Sequence, residues 1–302
     1  MRIAYFIPIH LYPNLFKRMF RAIYDPSNLY LLHIDKKSED SFKTEIRDFI
    51  ADYPNVYLMP SYDCVYAGYS TLDIDLKAIR ELLKHEWDFF INISGQDFPL
   101  KTQAFIKDYL RVRRHNNFVQ ILDMEKQWRK TRFRVHWYFV ELKLRSALMR
   151  RKRTWPLPIP RSYPKQYRRY GGSAWCILNR EFCEYLTFNH AHDKLKRFLE
   201  HTYIPEEEFF QTVIMHSPFK DTVINDNKRL IVWRRGKILG WHYSRMRPFE
   251  LEDAHVLDAS DAFFARKFSE SSNSELLDHL ESRLLVNEEV SVDEPLVSLH
   301  LN

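Results

Sequence analysis

The chain has 302 residues, of which 45% are hydrophobic and 15% aromatic, with only 6 glycines; this is enough apolar side chain for a buried core in one large or two small domains and excludes an extended disordered polypeptide. The formal net charge of +6 is unevenly spread, because residues 126–170 hold fifteen Lys and Arg against the single acid Glu141 and leave the rest of the chain net acidic. The three cysteines, Cys64, Cys176 and Cys183, are odd in number and lack metal-type spacing, so a disulfide scaffold and a zinc site are excluded and a reducing compartment is expected.

The first ten residues, MRIAYFIPIH, are too short to span a membrane and show no cleavage signal. They read as a first core strand, and the expected location is the cytoplasm. Over the first 120 residues short apolar, β-rich runs at 3–9, 29–34, 56–59, 89–93 and 118–122 alternate with helix-period segments. That alternation predicts βαβ units and a mostly parallel central sheet with helices on both faces, an α/β fold. The helices fall at 15–23 and 42–51 and along the stripe Leu72, Leu76, Ile79 and Leu83. Residues 124–153 read as irregular helix, and TWPLPIPRSYP as a proline-rich loop that cannot lie in a central strand and serves as a mobile flap. GGSAWCIL is a glycine turn leading into a strand, helices follow from Arg180 and from about Glu206, and the acidic tail after Leu285 is expected to fray.

In open α/β sheets ligands sit beyond the carboxyl ends of the strands. The residues there are His10, Asp35, Ser61 to Tyr66 and Ser94 to Asp97. Asp35, followed by Lys36 and Lys37, has the chemistry to accept hydrogen bonds from a ribose or uracil while a neighbouring lysine faces phosphate, although the same residues also make a helix cap. Ser94 to Pro99 holds only Asp97 where a metal-binding Asp-x-Asp would stand, and the one literal Asp-x-Asp, Asp73 and Asp75, falls inside the striped helix and is expected on its polar face. No metal site is expected. A leaving diphosphate would then need fixed cations, for which Arg229 and Lys267, each beside an apolar run, are the candidates.

In YIPEEEFFQT the acids Glu206, Glu207 and Glu208 follow a proline at a helix start, where the helix dipole favours them. One of them pointing into a cleft would be a general base. KQWRKTRFRVHWYF interleaves cations and aromatics suited to stacking on sugar rings, with Trp128, Arg129 and Arg132, together with Trp175 of the later GGSAW, as candidate acceptor contacts. His190 and His192 lack a third ligand and read as surface histidines.

Taken in order, IAYFIPIH, LFKRMFRAIYDPSNLYLLHIDKKS, NVYLMPSYDCVYAGYSTLDIDL, WDFFINISGQDFPLKT, GGSAWCILNREF, YIPEEEFFQT and FFARKF resemble the core-2/I-branching glycosyltransferase family, over about residues 3 to 285. The resemblance implies a GT-A type fold and inverting, metal-independent transfer of a sugar from a UDP-sugar to a hydroxyl of a glycan, lipid-linked glycan or protein, with no cofactor beyond the donor. It implies one domain over 1–285, with a nucleotide-binding half at 1–122 and an acceptor and catalytic half at 123–285, and a tail at 286–302. It assigns Pro8, Ile9, His10, Asp35, Lys36, Lys37 and Tyr66 to the uridine end of the donor, Arg229 and Lys267 to the diphosphate, and Glu207 to the base. GGSAW, with Ala174 where xylosyltransferases have Asp, is closer to the N-acetylglucosaminyl branch, so GlcNAc is the favoured donor sugar. PEEEFFQT and FFARKF are closer to the xylosyl branch, which makes peptide O-xylosylation the alternative. From other classes, the basic segment suits a nucleic-acid or membrane-surface binder, with peripheral contact at the inner face of the plasma membrane, and the sheet suits a nucleotidyltransferase. The second of these is opposed by the lack of a Gly-rich phosphate loop after the first strand, and no nucleic-acid partner is expected.

Overall fold

The computed structural model describes residues 1–142, 153–238, 241–270 and 274–293. The chain forms two compact units, one drawn from residues 1–10, 27–93 and 113–227 and the other from 11–26, 94–112 and 228 onward.

The first unit is built on a seven-stranded sheet in the order Val223–Ile224, Asn117–Val119, Cys176–Asn179, Phe89–Asn92, Ile3–Ile9, Leu29–Ile34, Val56–Leu58. Ile3–Ile9 pairs in parallel with Leu29–Ile34 and with Phe89–Asn92, and only Cys176–Asn179 runs antiparallel to its two neighbours. The predicted strands at 3–9 and 29–34 therefore stand where the apolar runs placed them. Both faces are buried: Ala4, Phe6, Leu29 and Leu31 join one core cluster while the alternate residues Tyr5, Ile7, Tyr30 and Leu32 are equally closed off from solvent. A strand covered on both sides gains from an apolar residue at every position, which is why these runs do not alternate.

On the first of those faces pack the helices Tyr69–Leu82, Arg180–Phe188, Asp193–Leu199 and Phe209–Met215. The stripe Leu72, Leu76, Ile79, Leu83 supplies the inward side of the first of them. Asn179 starts the second, its side-chain oxygen accepting from the Phe182 N–H at 2.8 Å, a cap that supplies one of the four unpaired donors of a helix start.

Residues 124–153 depart from the irregular helix expected there. A 3-10 turn at Arg129–Arg132 and a single helical turn at Phe133–His136 give way to a strand, Trp137–Leu142, paired antiparallel with Arg153–Pro160. The run Trp137, Tyr138, Phe139, Val140 is aromatic and β-branched, and that preference wins over helical continuation. The proline-rich segment is thus half of a ribbon as far as Pro160, and only its end, residues 161–164, is the expected loop. The register slips between Trp137 and Tyr138, which face Pro160 and Leu157, so Pro158 falls in an irregularity of a two-stranded ribbon, where a missing N–H is tolerated. Residues 143–152 lie outside the described residues. The expected strand at 118–122 divides, with Asn117–Val119 in the large sheet and Leu122–Asp123 pairing with Tyr170–Gly171.

In the second unit a three-stranded sheet joins Arg229–Ile231, Phe264–Arg266 and Asp97–Pro99, beside the hairpin Trp233–Ile238 and Trp241–Met246. The helix Pro13–Ile23 is tied to the helix Ser274–Asp293 by Arg18, which donates to both carboxylate oxygens of Glu281 at 2.8 Å and to Asp278 at 2.6 Å. That last helix carries regular structure to Asp293, beyond the Leu285 where fraying was expected; the remainder of the acidic tail lies outside the described residues.

Candidate active site

The centre of interest in the first unit is the short turn Pro205–Glu207 that opens the helix Phe209–Met215. It is entered through Ile204 at φ 54, a conformation costly for a β-branched residue. Its N–H donates to the carbonyl of Ala67, itself at φ 61, at 2.9 Å. On the opposite flank the Gly172 N–H donates to the Glu207 carbonyl at 2.9 Å. A Cβ on Gly171 would stand 2.9 Å from that same carbonyl oxygen, and one on Gly172 2.1 Å from the Gln120 carbonyl oxygen. The two glycines of GGSAW are therefore required by close backbone approach.

The three consecutive acids of this turn have three different environments. Glu208 is 2% exposed and takes a bidentate pair from Arg169, at 3.0 Å to Nε and 2.9 Å to Nη2. Glu207 accepts from Arg134 Nη1 at 2.7 Å through Oε2 and keeps 24% of its side chain exposed. Glu206 turns its carboxyl inward, with Oε2 shut off from solvent and without a hydrogen-bond partner. Burial, reinforced by the negative charge of Glu207, pushes the Glu206 carboxyl up to about 7.

Behind Glu206 stands Asp75, 8% exposed, which burial and the charge of Glu206 push well above the ordinary carboxylate range. The expectation that Asp73 and Asp75 share a polar helix face is therefore half corrected. Asp73 does, paired with Lys77 at 2.6 Å, but Asp75 sits three residues after Leu72 and four before Ile79, inside the apolar stripe, and faces inward.

Of the predicted acceptor and donor contacts, Tyr66 and, through Arg134, Trp128 are tied to Glu207. The Arg134 guanidinium lies 5.0 Å from the centre of the Trp128 ring. Tyr66, 77% exposed, has its hydroxyl in the field of Glu207 and Glu206. Phe139 packs on Tyr203 at 5.2 Å and Phe133 on Tyr203 at 6.0 Å. Arg129 and Arg132 are exposed on the turn next to Trp128, Arg132 lying 3.7 Å from Glu125. Trp175 is half-buried, with its carbonyl accepting from Asn227 Nδ2 at 3.3 Å.

At the ends of the first two strands Pro8 is half-buried, Ile9 buried and His10 exposed. The Asp35 N–H donates to the Ile9 carbonyl at 3.1 Å, which sets the two strand ends side by side. Asp35 Oδ1 accepts from the Lys37 N–H at 2.9 Å and Oδ2 lies 3.5 Å from Lys37 Nζ, which in turn donates to the Cys64 carbonyl. Lys36 is exposed. Asp35 is thus not the cap of the next helix, whose N-cap is Glu39; it closes a turn that fixes Lys37.

Arg229 and Lys267 belong to the second unit. The Arg229 side chain is 1% exposed and its Nη1 donates to Asp97 Oδ1 at 2.8 Å, while Arg266 reaches Asp97 Oδ2 at 3.2 Å. The Ser94 N–H and hydroxyl donate to that same Oδ2 at 2.6 and 2.7 Å. Two guanidiniums on one carboxylate leave the knot net positive, with Arg229 held inside it. Next along the chain, Lys267 is half-buried, and burial, with the charge of Arg266, lowers its ammonium from the ordinary lysine value.

His190 is exposed beside Asp193, as expected, but His192 is buried between two tyrosine hydroxyls, Tyr167 on Nδ1 and Tyr185 on Nε2, each at 3.0 Å. Among the described residues no three His, Cys, Asp or Glu side chains form a group able to hold a metal, and no helix is long and apolar enough to cross a membrane. Sequence reasoning missed Arg134, and named Glu206 and Asp75 without their inward orientation. Arg134 lies 73 residues from Glu207, and nothing within a run of basic and aromatic residues marks which cation turns inward.

The family model described as Core-2/I-Branching enzyme matches residues 3–257. Xylosyltransferase 1 of Canis lupus familiaris is 32% identical over 304 residues, a match that takes in 95% of this chain and 31% of that protein. Xylosyltransferase 1 of Homo sapiens is 31% identical with the same coverage, and Xylosyltransferase 2 of Homo sapiens 29% identical over 94% of this chain and 34% of that protein. The chain spans about a third of the length of these relatives. Among solved structures, residues 1–349 of S. aureus TarS share 12% identity and a TM-score of 0.30 over 39% of this chain and 35% of that one.

Proposed function

The chain belongs to the Core-2/I-branching enzyme family, a family of glycosyltransferases, and on that footing we propose that it transfers a sugar from a UDP-sugar to an acceptor hydroxyl with inversion, Glu207 acting as general base. Glu207 removes the proton of the acceptor hydroxyl, the freed oxygen forms its bond to the anomeric carbon from the face opposite UDP, and the bond to the diphosphate oxygen breaks as UDP leaves. A β-linkage results. The observation that carries the reading is the division of labour on one turn: Glu208 is locked by Arg169, Glu206 turns one carboxylate oxygen away from solvent, and Glu207, partly exposed, is held in place by Arg134.

In this proposal fixed cations take up the charge of the departing diphosphate, without a metal ion. In support, Asp97, the acid at the strand end where an Asp-x-Asp would bind a divalent ion, is wholly buried and engaged by Ser94, Arg229 and Arg266. The sequestered Arg229 contributes through its charge and by holding Asp97, which leaves Lys267 as the cation proposed to reach the diphosphate. The xylosyltransferase relatives favour UDP-xylose as donor, while Ala174 of GGSAW keeps UDP-GlcNAc as the second candidate.

Release of UDP from each donor is measured for wild type, Glu207→Gln and Lys267→Ala. Glu207→Gln is expected to lose a factor of roughly 100 to 10,000 in turnover, with its thermal stabilisation by UDP unchanged, and Lys267→Ala a factor of roughly 100. Near wild-type turnover by Glu207→Gln would remove it as the base, and a strong requirement for added manganese, abolished by chelator, would contradict the metal-free scheme.

A further inference from the structure

The scheme above leaves Glu206 idle, yet its surroundings are those of a working group. Its Oε2 is buried and unbonded, and Arg134, whose Nη1 holds Glu207, has its own Nε buried and unbonded as well. Among the described residues, the groups that act on Glu206 or feel its charge come from four elements. The helix Tyr69–Leu82 offers Asp75 and, without charge, the Thr71 hydroxyl; the same turn offers Glu207; the helical turn Phe133–His136 offers Arg134; the loop before Gly68 offers Tyr66. Glu208, next in the chain, is already neutralised by Arg169. Arg134 is bonded to Glu207 and not to Glu206, so an unfilled N–H of the guanidinium and an unfilled oxygen of the second carboxyl flank the same turn.

We propose that Glu206 is a positioning residue that gates Glu207 through Arg134. While Glu206 is a neutral acid, Arg134 belongs to Glu207 alone and weakens it as a base. When Glu206 gives its proton to solvent, the guanidinium is divided between two carboxylates, and the added negative charge makes Glu207 the stronger base. The inference rests on Glu207 being the base. Because burial already holds the Glu206 carboxyl at about 7, the change falls within the physiological range. The sign follows: turnover rises with pH through that value, because the ionised form of Glu206 is the activating one.

The test is the pH dependence of kcat for UDP release from UDP-xylose and UDP-GlcNAc, with wild type, Glu206→Gln and Glu206→Asp of the full chain. Wild type is expected to rise roughly tenfold across the transition, Glu206→Gln to stay at the low-pH rate throughout with KM for the donor unchanged, and Glu206→Asp to regain an inflection. If Glu206→Gln follows the wild-type curve, or is inactive at every pH while UDP still stabilises it, the gate is wrong. Should Glu206→Gln fail to fold, an infrared titration of wild type and Glu206→Asp decides. A protonated carboxyl band lost near pH 7 in wild type and displaced in the variant supports the gate, and its absence overturns it. An active Glu207→Gln would remove the base assignment and the gate together, whereas an inactive Glu207→Gln with an unaltered Glu206→Gln profile removes the gate alone.

Discussion

Three glutamates in a row share a chemistry but not a job, and their substitution should separate accordingly. Glu208 and Arg169 form a buried, bidentate pair with side chains 3% and 5% exposed. Removing one partner leaves the other charge buried and alone, so Glu208→Ala is expected to cost roughly 3–5 kcal/mol in urea unfolding. Glu207→Gln, at a partly exposed position, should change stability little while turnover collapses. Glu206 should instead reveal itself in the pH dependence of stability. Its folded-state value of about 7 lies above the ordinary 4.5, so the folded protein binds the proton more tightly, and the associated stabilisation is complete below about pH 4 and is lost as pH rises through about 7. The stability of wild type relative to Glu206→Gln should therefore fall by about 3 kcal/mol between those limits; a difference that grew with pH would mean that the carboxyl is ionised in the fold. That three acids follow a proline at the start of a helix was legible in YIPEEEFFQT. Which acid faced which partner was not, since Arg134, Arg169 and Asp75 arrive from distant parts of the chain.

Elements were legible where burial forces a simple pattern. Strands covered on both faces are unbroken apolar runs, and the helix Tyr69–Leu82 announces its inward side through Leu72, Leu76 and Ile79. The stretch from 124 to 160 resisted, because its strands form a two-stranded ribbon in which Trp137–Leu142 is mostly half-buried and the partner is rich in proline. Neither a period of two nor a continuous apolar run marks such a ribbon. Glycines were read as a turn, which was the right signal for an incomplete reason: Gly171 and Gly172 are needed because carbonyls press where a Cβ would be. Gly172→Ala would drive a methyl against the Gln120 carbonyl, 2.1 Å away, and loosen the N–H bond that holds the Glu207 carbonyl. The expected outcome is a loss of roughly 1–3 kcal/mol in stability accompanied by a fall in kcat, with the donor KM less affected. A variant with wild-type turnover would show that the Glu207 turn does not depend on that strap.

At the scale of the whole molecule, charge is the property that residue counts misjudge. The basic segment 126–170 suggests a cationic surface, but several of its arginines point inward or are neutralised: Arg134 on Glu207, Arg168 on Asp123, Arg169 on Glu208, and Arg161 on the backbone carbonyls of Phe198 and His201 with the Phe198 ring 3.8 Å away. Among the described residues, what stays outward in the neighbourhood of Trp128 is Lys126, Arg129 and Lys130, with Arg132 offset by Glu125 at 3.7 Å. Three charges at this turn make only a small counterion-release contribution. They do suffice for a weak, salt-sensitive attraction to an anionic membrane face, at about 1 kcal/mol for each residue close to the surface. We therefore propose that peripheral membrane contact, if the protein makes it, runs through this turn. Pelleting with vesicles of mixed phosphatidylserine and phosphatidylcholine should show binding at low salt that fades as the screening length shrinks from about 10 Å at 0.1 M to about 3 Å at 1 M. The triple substitution Lys126→Gln, Arg129→Gln, Lys130→Gln should weaken it by roughly two orders of magnitude at low salt. Equal binding to purely phosphatidylcholine vesicles, or a triple variant that pellets like wild type, would remove the membrane from the picture and leave the turn as an acceptor contact beside Trp128 and Arg134.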